Sequence, residues 1–266
     1  MKKIKQQRDY IWLFATLAVV LIVSVMGSTF YFANDSKDRG TFGDMFGGAN
    51  ALFTGLSFVG LIVTILLQRK DLNIQRMELQ KQTDSIHKQN FESTFFQLLS
   101  MFNSITNTME VNYGDEVYKG RRAIIEMNNT LNLIIEKMAY GDKIMSEKIL
   151  KEAVKNLDKN AIMTAYIDFY NLHKEFIAHY FRSFYHIVKF IHVTEDIDKK
   201  FYISIARSQL SSIELVLFFY NGVSPRGLRK FRPLINQYGL LKGLDFTLMP
   251  NTILQSEYDK TAFYLP

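Results

Sequence analysis

Tyr10 to Ala33 reads YIWLFATLAVVLIVSVMGSTFYFA, 24 residues without a charge. A helix apolar on every side needs a large protein interior or a bilayer to cover it, and about 20 such residues cross the hydrocarbon. Tyr10 and Trp12 at one end, and Tyr31 and Phe32 at the other, suit the two membrane interfaces. A cleaved signal peptide would share the basic start MKKIKQQR, but the apolar run is too long for it and no A-x-A site follows. An uncleaved span is therefore predicted. Met45 to Leu67 is a second charge-free run. Residues 1–68 thus read as a short N-terminal tip and two transmembrane helices, about 10–33 and 45–67, in contact with the lipid bilayer.

Charge sets the orientation. Lys2, Lys3, Lys5 and Arg8 precede the first run, and Arg69, Lys70 and Arg76 follow the second. The connecting loop carries Asp35, Asp38 and Asp44 against Lys37 and Arg39. The positive-inside rule places the N-terminus and everything after the second span in the cytoplasm of a bacterial inner-membrane, multi-pass protein.

The second span is not a plain anchor. Thr41 and Asp44 have the spacing of a capping box and place the helix start near Phe42. Gly43, Gly47, Ala51 and Gly55 recur every four residues, a stripe that permits close helix approach in lipid. Beside it Gly47, Asn50, Thr54, Ser57, Leu61 and Thr64 alternate spacings of three and four, which keeps them on one face. Polar groups at membrane depth avoid lipid. That face is expected to meet the first span, another copy of the chain, or water in an oligomeric pore.

Beyond the membrane, no proline or glycine occurs between Gly60 and Gly114, so one helix is expected from Leu61 to about Met109. Residues 69–90 read as a helical stalk or linker, with a thin coiled-coil signal in Leu72, Leu79 and Ile86 at seven-residue spacing. From Phe91 the sequence turns apolar, and 91–266 reads as one cytoplasmic α-helical domain. Its helices are expected at Glu116–Tyr140, Ser146–Leu157, Asn160–Val193, Ile197–Tyr220 and Arg232–Tyr238, with an irregular tail from Gly243. No alternating strand pattern stands out, so the predicted fold class is all-α.

The chain has no cysteine, which removes disulfides, thiolate metal sites and a cysteine nucleophile. The net charge of +6 is dispersed, which fits a basic protein at an anionic membrane surface better than a dedicated nucleic-acid surface. No phosphate loop, zinc-protease, nucleophile-elbow or dinucleotide motif occurs. His179 and His186 stand too far apart for a metal site without a third ligand, and no cofactor is expected. Arg182 and His186, one helical turn apart in YFRSFYHIVKFI, are the catalytic candidates. Toxin ribonucleases of the HEPN type pair an Arg and a His on one helix, at a longer spacing than the three intervening residues here. Arg207 and Glu214, seven apart, are candidates for a buried ion pair.

Several segments together carry a resemblance: GTFGDMFGGANALFTGLSFVGLIVTILLQRKDLNIQRMELQKQ, NFESTFFQLLSMFNSI, YFRSFYHIVKFI, FYISIARSQLSSIELVLFFYNGVS and KFRPLINQYGLLKGL. In this order the chain resembles the phage abortive infection (AbiC-like) family of bacterial membrane proteins. The resemblance implies antiviral defence and supplies no reaction. It leaves three readings: an effector that perturbs or depolarises the membrane after a cytoplasmic trigger, a membrane-tethered ribonuclease using Arg182 and His186, and a non-enzymatic adaptor for a defence partner. Two-span proteins of similar organisation act as toxic effectors beside retron reverse transcriptases, which makes such a complex a candidate partner. Self-association through the second span and stalk is the other expected contact.

Overall fold

The computed structural model describes Val20, Val23, Ser24 and residues 39–141 and 146–264. These fall into two compact units, Met1–Gln82 and Thr83–Pro266. The expected first span, Tyr10–Ala33, lies outside the described residues apart from three positions.

In the first unit the described structure is helical. Helix α1 spans Arg39–Thr108, and its residues from Thr83 belong to the second unit. The stretch beginning at Phe53 is long and apolar enough to cross a membrane, and its most apolar window is wholly unburied. One expectation fails here. The helix is already running at Arg39, so Thr41 and Asp44 lie inside it and do not cap it. With no proline in this segment, nothing in the sequence stops the helix from running through Thr41.

The second unit is all-α among its described residues apart from one short hairpin. The expected absence of strands needs correcting. β1 (Glu110–Tyr113) and β2 (Glu116–Lys119) form an antiparallel hairpin, with Val111 opposite Tyr118 and Asn112 opposite Val117. Gly114 turns the chain with φ of 62°, a conformation costly for other residues. Helix α2 consequently begins at Arg121, not Glu116, and runs to Tyr140. Then come α3 (Glu147–Lys155), α4 (Lys159–Val193), α5 (Lys199–Ser208), α6 (Ser212–Val223) and α7 (Arg232–Tyr238).

α4 organises this unit. Its inner face, Ile177, Tyr180, Phe184, Ile187 and Ile191, is buried and alternates spacings of three and four. The Asp158 side chain starts it by accepting from the Ala161 amide at 2.7 Å. Helices α2, α5 and α6 pack against it. Its partner at the start of the unit is the apolar end of α1. Phe91 stacks on Phe190 at 5.1 Å between centroids, and Phe102 meets Tyr180 at 5.1 Å and Phe184 at 5.3 Å. Leu215 to Tyr220 are buried at every position, which makes α6 a core helix covered on all sides.

The single helix expected over Ile197–Tyr220 is in fact α5 and α6. Ser211 breaks it: its hydroxyl accepts from the Glu214 amide at 3.3 Å, while the Glu214 carboxylate accepts from the Ser211 amide at 2.6 Å. This reciprocal pair is a capping box written as S-S-I-E. Gly222 does not end the helix as expected; α6 continues to Val223. Glycine is needed there for space, because a β-carbon would run into the Tyr258 hydroxyl. That hydroxyl donates to the Phe219 carbonyl at 2.6 Å. The tail is built of 3-10 turns that pack on the domain, and the Asn251 amide donates to the Val154 carbonyl at 2.7 Å.

Candidate functional site

The helical period that buries one face of α4 fixes what the opposite face displays. His179, Arg182, His186, Lys189 and Val193 alternate spacings of three and four and are all exposed. They form one wall of a groove of about 550 Å³, whose other wall is Leu98 and Met101 of α1. The aromatic contacts of Phe91 and Phe102 described above hold the two walls together. Phe190 and Ser183 also line the groove.

The structure thus brings the two catalytic candidates, Arg182 and His186, into one groove, and adds His179 and Lys189 to them. No carboxylate lines it. Chemically this is an anion-accepting surface over an apolar floor. Lys189, Leu98 and Met101 went unnoticed in the sequence. Lys189 was findable, since it continues the three-and-four spacing of the other three. Leu98 and Met101 were not, because they come from a distant helix. Among the described residues no three His, Asp or Glu side chains are grouped to hold a metal ion.

The Arg207–Glu214 pair does not form. Glu214 is fully buried and pairs with Arg121, whose Nη1 lies 2.9 Å from its carboxylate. Tyr180 donates to the other carboxylate oxygen at 2.9 Å, and Arg121 Nη2 donates to the Gln209 carbonyl at 2.8 Å. One carboxylate therefore ties α2, α4 and α6 together. The capping box turns Glu214 back toward Ser211, inward to Arg121. Arg207, on a different helix, instead donates to the Gly239 carbonyl at 3.3 Å. Burial, and then the Glu214 charge, hold the Tyr180 hydroxyl far above its ordinary pKa, so it stays a donor.

A second buried polar node fastens the hairpin. His173 Nδ1 lies 3.1 Å from the Phe169 carbonyl and Nε2 lies 2.6 Å from the Tyr113 hydroxyl. The carbonyl can only accept, so Nδ1 carries the hydrogen and Nε2 accepts from Tyr113. Thr130 in turn donates to the Tyr113 hydroxyl at 2.8 Å. Burial lowers the His173 pKa, and the bond to Phe169 opposes this. The unfolded chain then binds a proton near pH 6.5 that the folded chain refuses. This contribution is complete above that pH and is lost as pH falls through the lowered value. The melting temperature of the full chain in detergent is expected to drop on going from pH 7 to pH 5. In His173→Gln the drop should be smaller; an unchanged pH slope would show that His173 is not the group responsible.

On the first unit, Gly47, Asn50, Ala51, Thr54, Gly55, Ser57 and Thr64 are all exposed, and no described side chain or backbone comes within 4 Å of a β-carbon built on Gly47 or Gly55. The Thr64 hydroxyl is satisfied within the helix by the Gly60 carbonyl at 2.8 Å. Gly43 takes part in the helix, and its side-chain surroundings lie outside the described residues, as do those of Thr41 and Asp44. In the next segment Leu72, Leu79 and Ile86 are exposed along α1.

An all-α domain with a basic groove, in a chain carrying a helix apolar enough for a bilayer, is the class these features define. Within that class, the family described as "Putative phage abortive infection protein" matches residues 172–248, from the middle of α4 through the first 3-10 turn of the tail. The resemblance read from the sequence therefore agrees with this match. No curated protein and no solved structure matches the chain.

Proposed function

We propose that this chain is a membrane-anchored effector of phage abortive infection that acts by perturbing the inner membrane. The match to the abortive infection family supports the role in defence. The single observation that supports a membrane action is the unburied apolar stretch of α1 from Phe53, which bears Thr54, Ser57 and Thr64 along the face that Asn50 begins just before it. A helix built only to anchor gains nothing from such a face, because lipid disfavours it. In this reading a phage component acts on the cytoplasmic domain, the segment 69–90 passes the change on, and second spans of several copies turn their polar faces together and depolarise the membrane.

The topology this needs can be tested directly, because the chain has no native cysteine to label. A cysteine replacing Asn34 is expected to react with a membrane-impermeant maleimide in intact spheroplasts. One replacing Lys81 should react only after permeabilisation. The reverse pattern, or equal labelling of both, would remove the proposed orientation.

A further inference from the structure

The groove on α4 has a composition that the membrane reading does not use. Lys and Arg side chains on the surface of this domain commonly find acids: Lys119 with Glu110, Lys151 with Glu147, Lys159 with Glu257. The groove residues do not. Among the described residues His179, Arg182 and Lys189 make no ion pair or hydrogen bond, and His186 only meets the Tyr185 ring edge-on at 5.3 Å. Exposed apolar groups lie beside these side chains. Val193 is 61% exposed and Met101 48%. The same α4 stripe continues in the other direction through Phe176 and Leu172, 40% and 65% exposed. On that side the stripe also includes exposed Glu175, one turn before His179 and outside the groove lining. From His179 to Val193 it is on the order of 21 Å long at 1.5 Å per residue, about four helical turns.

We propose that this groove docks an acidic amphipathic helix of a protein partner. Charge complementarity selects the sign: the unpaired cations Arg182 and Lys189, with two imidazoles in the same row and no carboxylate in the lining, favour an anionic partner and repel a basic one. The floor selects the shape. Leu98, Met101 and Val193 are aliphatic or thioether groups that a helix laid in the groove covers with its own apolar face. A nucleic-acid strand draws its energy from phosphate contacts and from aromatic platforms, and the floor offers mainly aliphatic surface. A second copy pairing through the same groove about a two-fold axis would set these cations against themselves. The partner's acidic side chains would sit over His179, Arg182, His186 and Lys189, and its apolar side chains over Leu98, Met101 and Val193. This inference stands independently of how the membrane part acts.

The test uses the full chain in nanodiscs of a neutral lipid, with empty nanodiscs subtracted. The probe is a fluorescent 18-residue designed helix carrying leucines on one face and glutamates on the flanks, roughly the length of the groove. Binding is expected, weakening as salt rises. It should fall at least tenfold for the double variant Arg182→Glu, Lys189→Glu, and for the same peptide with glutamine at each glutamate. Both replaced side chains are exposed, and an unchanged melting temperature verifies that the double variant is folded. A peptide with lysine at each glutamate should bind the double variant and not the wild type; this charge exchange is the decisive positive result. The proposal is overturned if the glutamate peptide binds the double variant as well as the wild type, or binds neither. It is equally overturned if an 18-nucleotide single-stranded RNA displaces the peptide at lower concentration than unlabelled peptide does, which would assign the groove to nucleic acid.

Discussion

Glu214→Ala is expected to destabilise the helical domain by about 3–5 kcal/mol, the range for breaking a buried charge pair from one side. Three donors lose their acceptor at once: the Arg121 guanidinium, the Tyr180 hydroxyl and the Ser211 amide. Tyr180 and the carboxylate are removed from water almost completely. An unsatisfied group there keeps its full desolvation cost. Arg121 is about half exposed and recovers part of its solvation, which places the expected loss below a sum of three separate bonds. Glu214→Gln retains the shape and one acceptor oxygen, so about 1–3 kcal/mol is expected for it. Urea unfolding of the full chain in detergent measures both. Equal, small losses for the two variants would mean that the carboxylate does not join the three helices. In cells a loss of the alanine size depletes the folded protein, so phage protection should fall with its abundance.

The second large effect lies in the apolar stretch of α1 and the turn before it. Replacing Asn50, Thr54 and Ser57 together with leucine makes the polar face of α1 apolar and leaves its length unchanged. Insertion is expected to persist or strengthen, since each change lowers the cost of placing the helix in hydrocarbon. Depolarisation during infection is expected to be lost, because a face of leucines meets lipid or another helix as well as the rest of the span does. A charge at the same depth makes the opposite prediction: Ser57→Asp should cost about 2.5–3.5 kcal/mol at insertion. Membrane fractionation separates the two cases. A leucine variant that remains in the membrane fraction and no longer protects assigns function to the face, not to anchoring.

The large features of this chain were legible because helical periodicity and the scarcity of proline act locally. Residues Asn160 to Val193 read as one helix, and α4 occupies Lys159–Val193. The unbroken run beyond Gly60 likewise corresponds to the uninterrupted α1. What escaped was decided by short signals or by distance. The hairpin strands are four residues each, and Val111 is the one buried position among them, so no hydrophobic alternation announces them. The break between α5 and α6 was written in Ser211 and Glu214, but an otherwise continuous apolar pattern runs across it. Glu214 illustrates the limit on sites. Its spacing from Arg207 satisfies a helix face only if one helix contains both. Once Ser211 divides that helix, the carboxylate turns to Arg121, 93 residues earlier in the chain. Arg182 and His186 were visible as a pair on one turn. Their setting was not, since Leu98 and Met101 reach the groove through tertiary packing of aromatic rings.

The measurement that bears most directly on the proposed membrane action is the membrane potential of infected cells, followed with a potential-sensitive dye alongside a plaque assay. Cells carrying the wild-type chain should lose their potential after infection and before lysis, with plaques suppressed. Cells carrying the Asn50, Thr54 and Ser57 leucine variant should hold their potential and form plaques. An intact potential in wild-type cells that nevertheless die and suppress plaques would contradict the account.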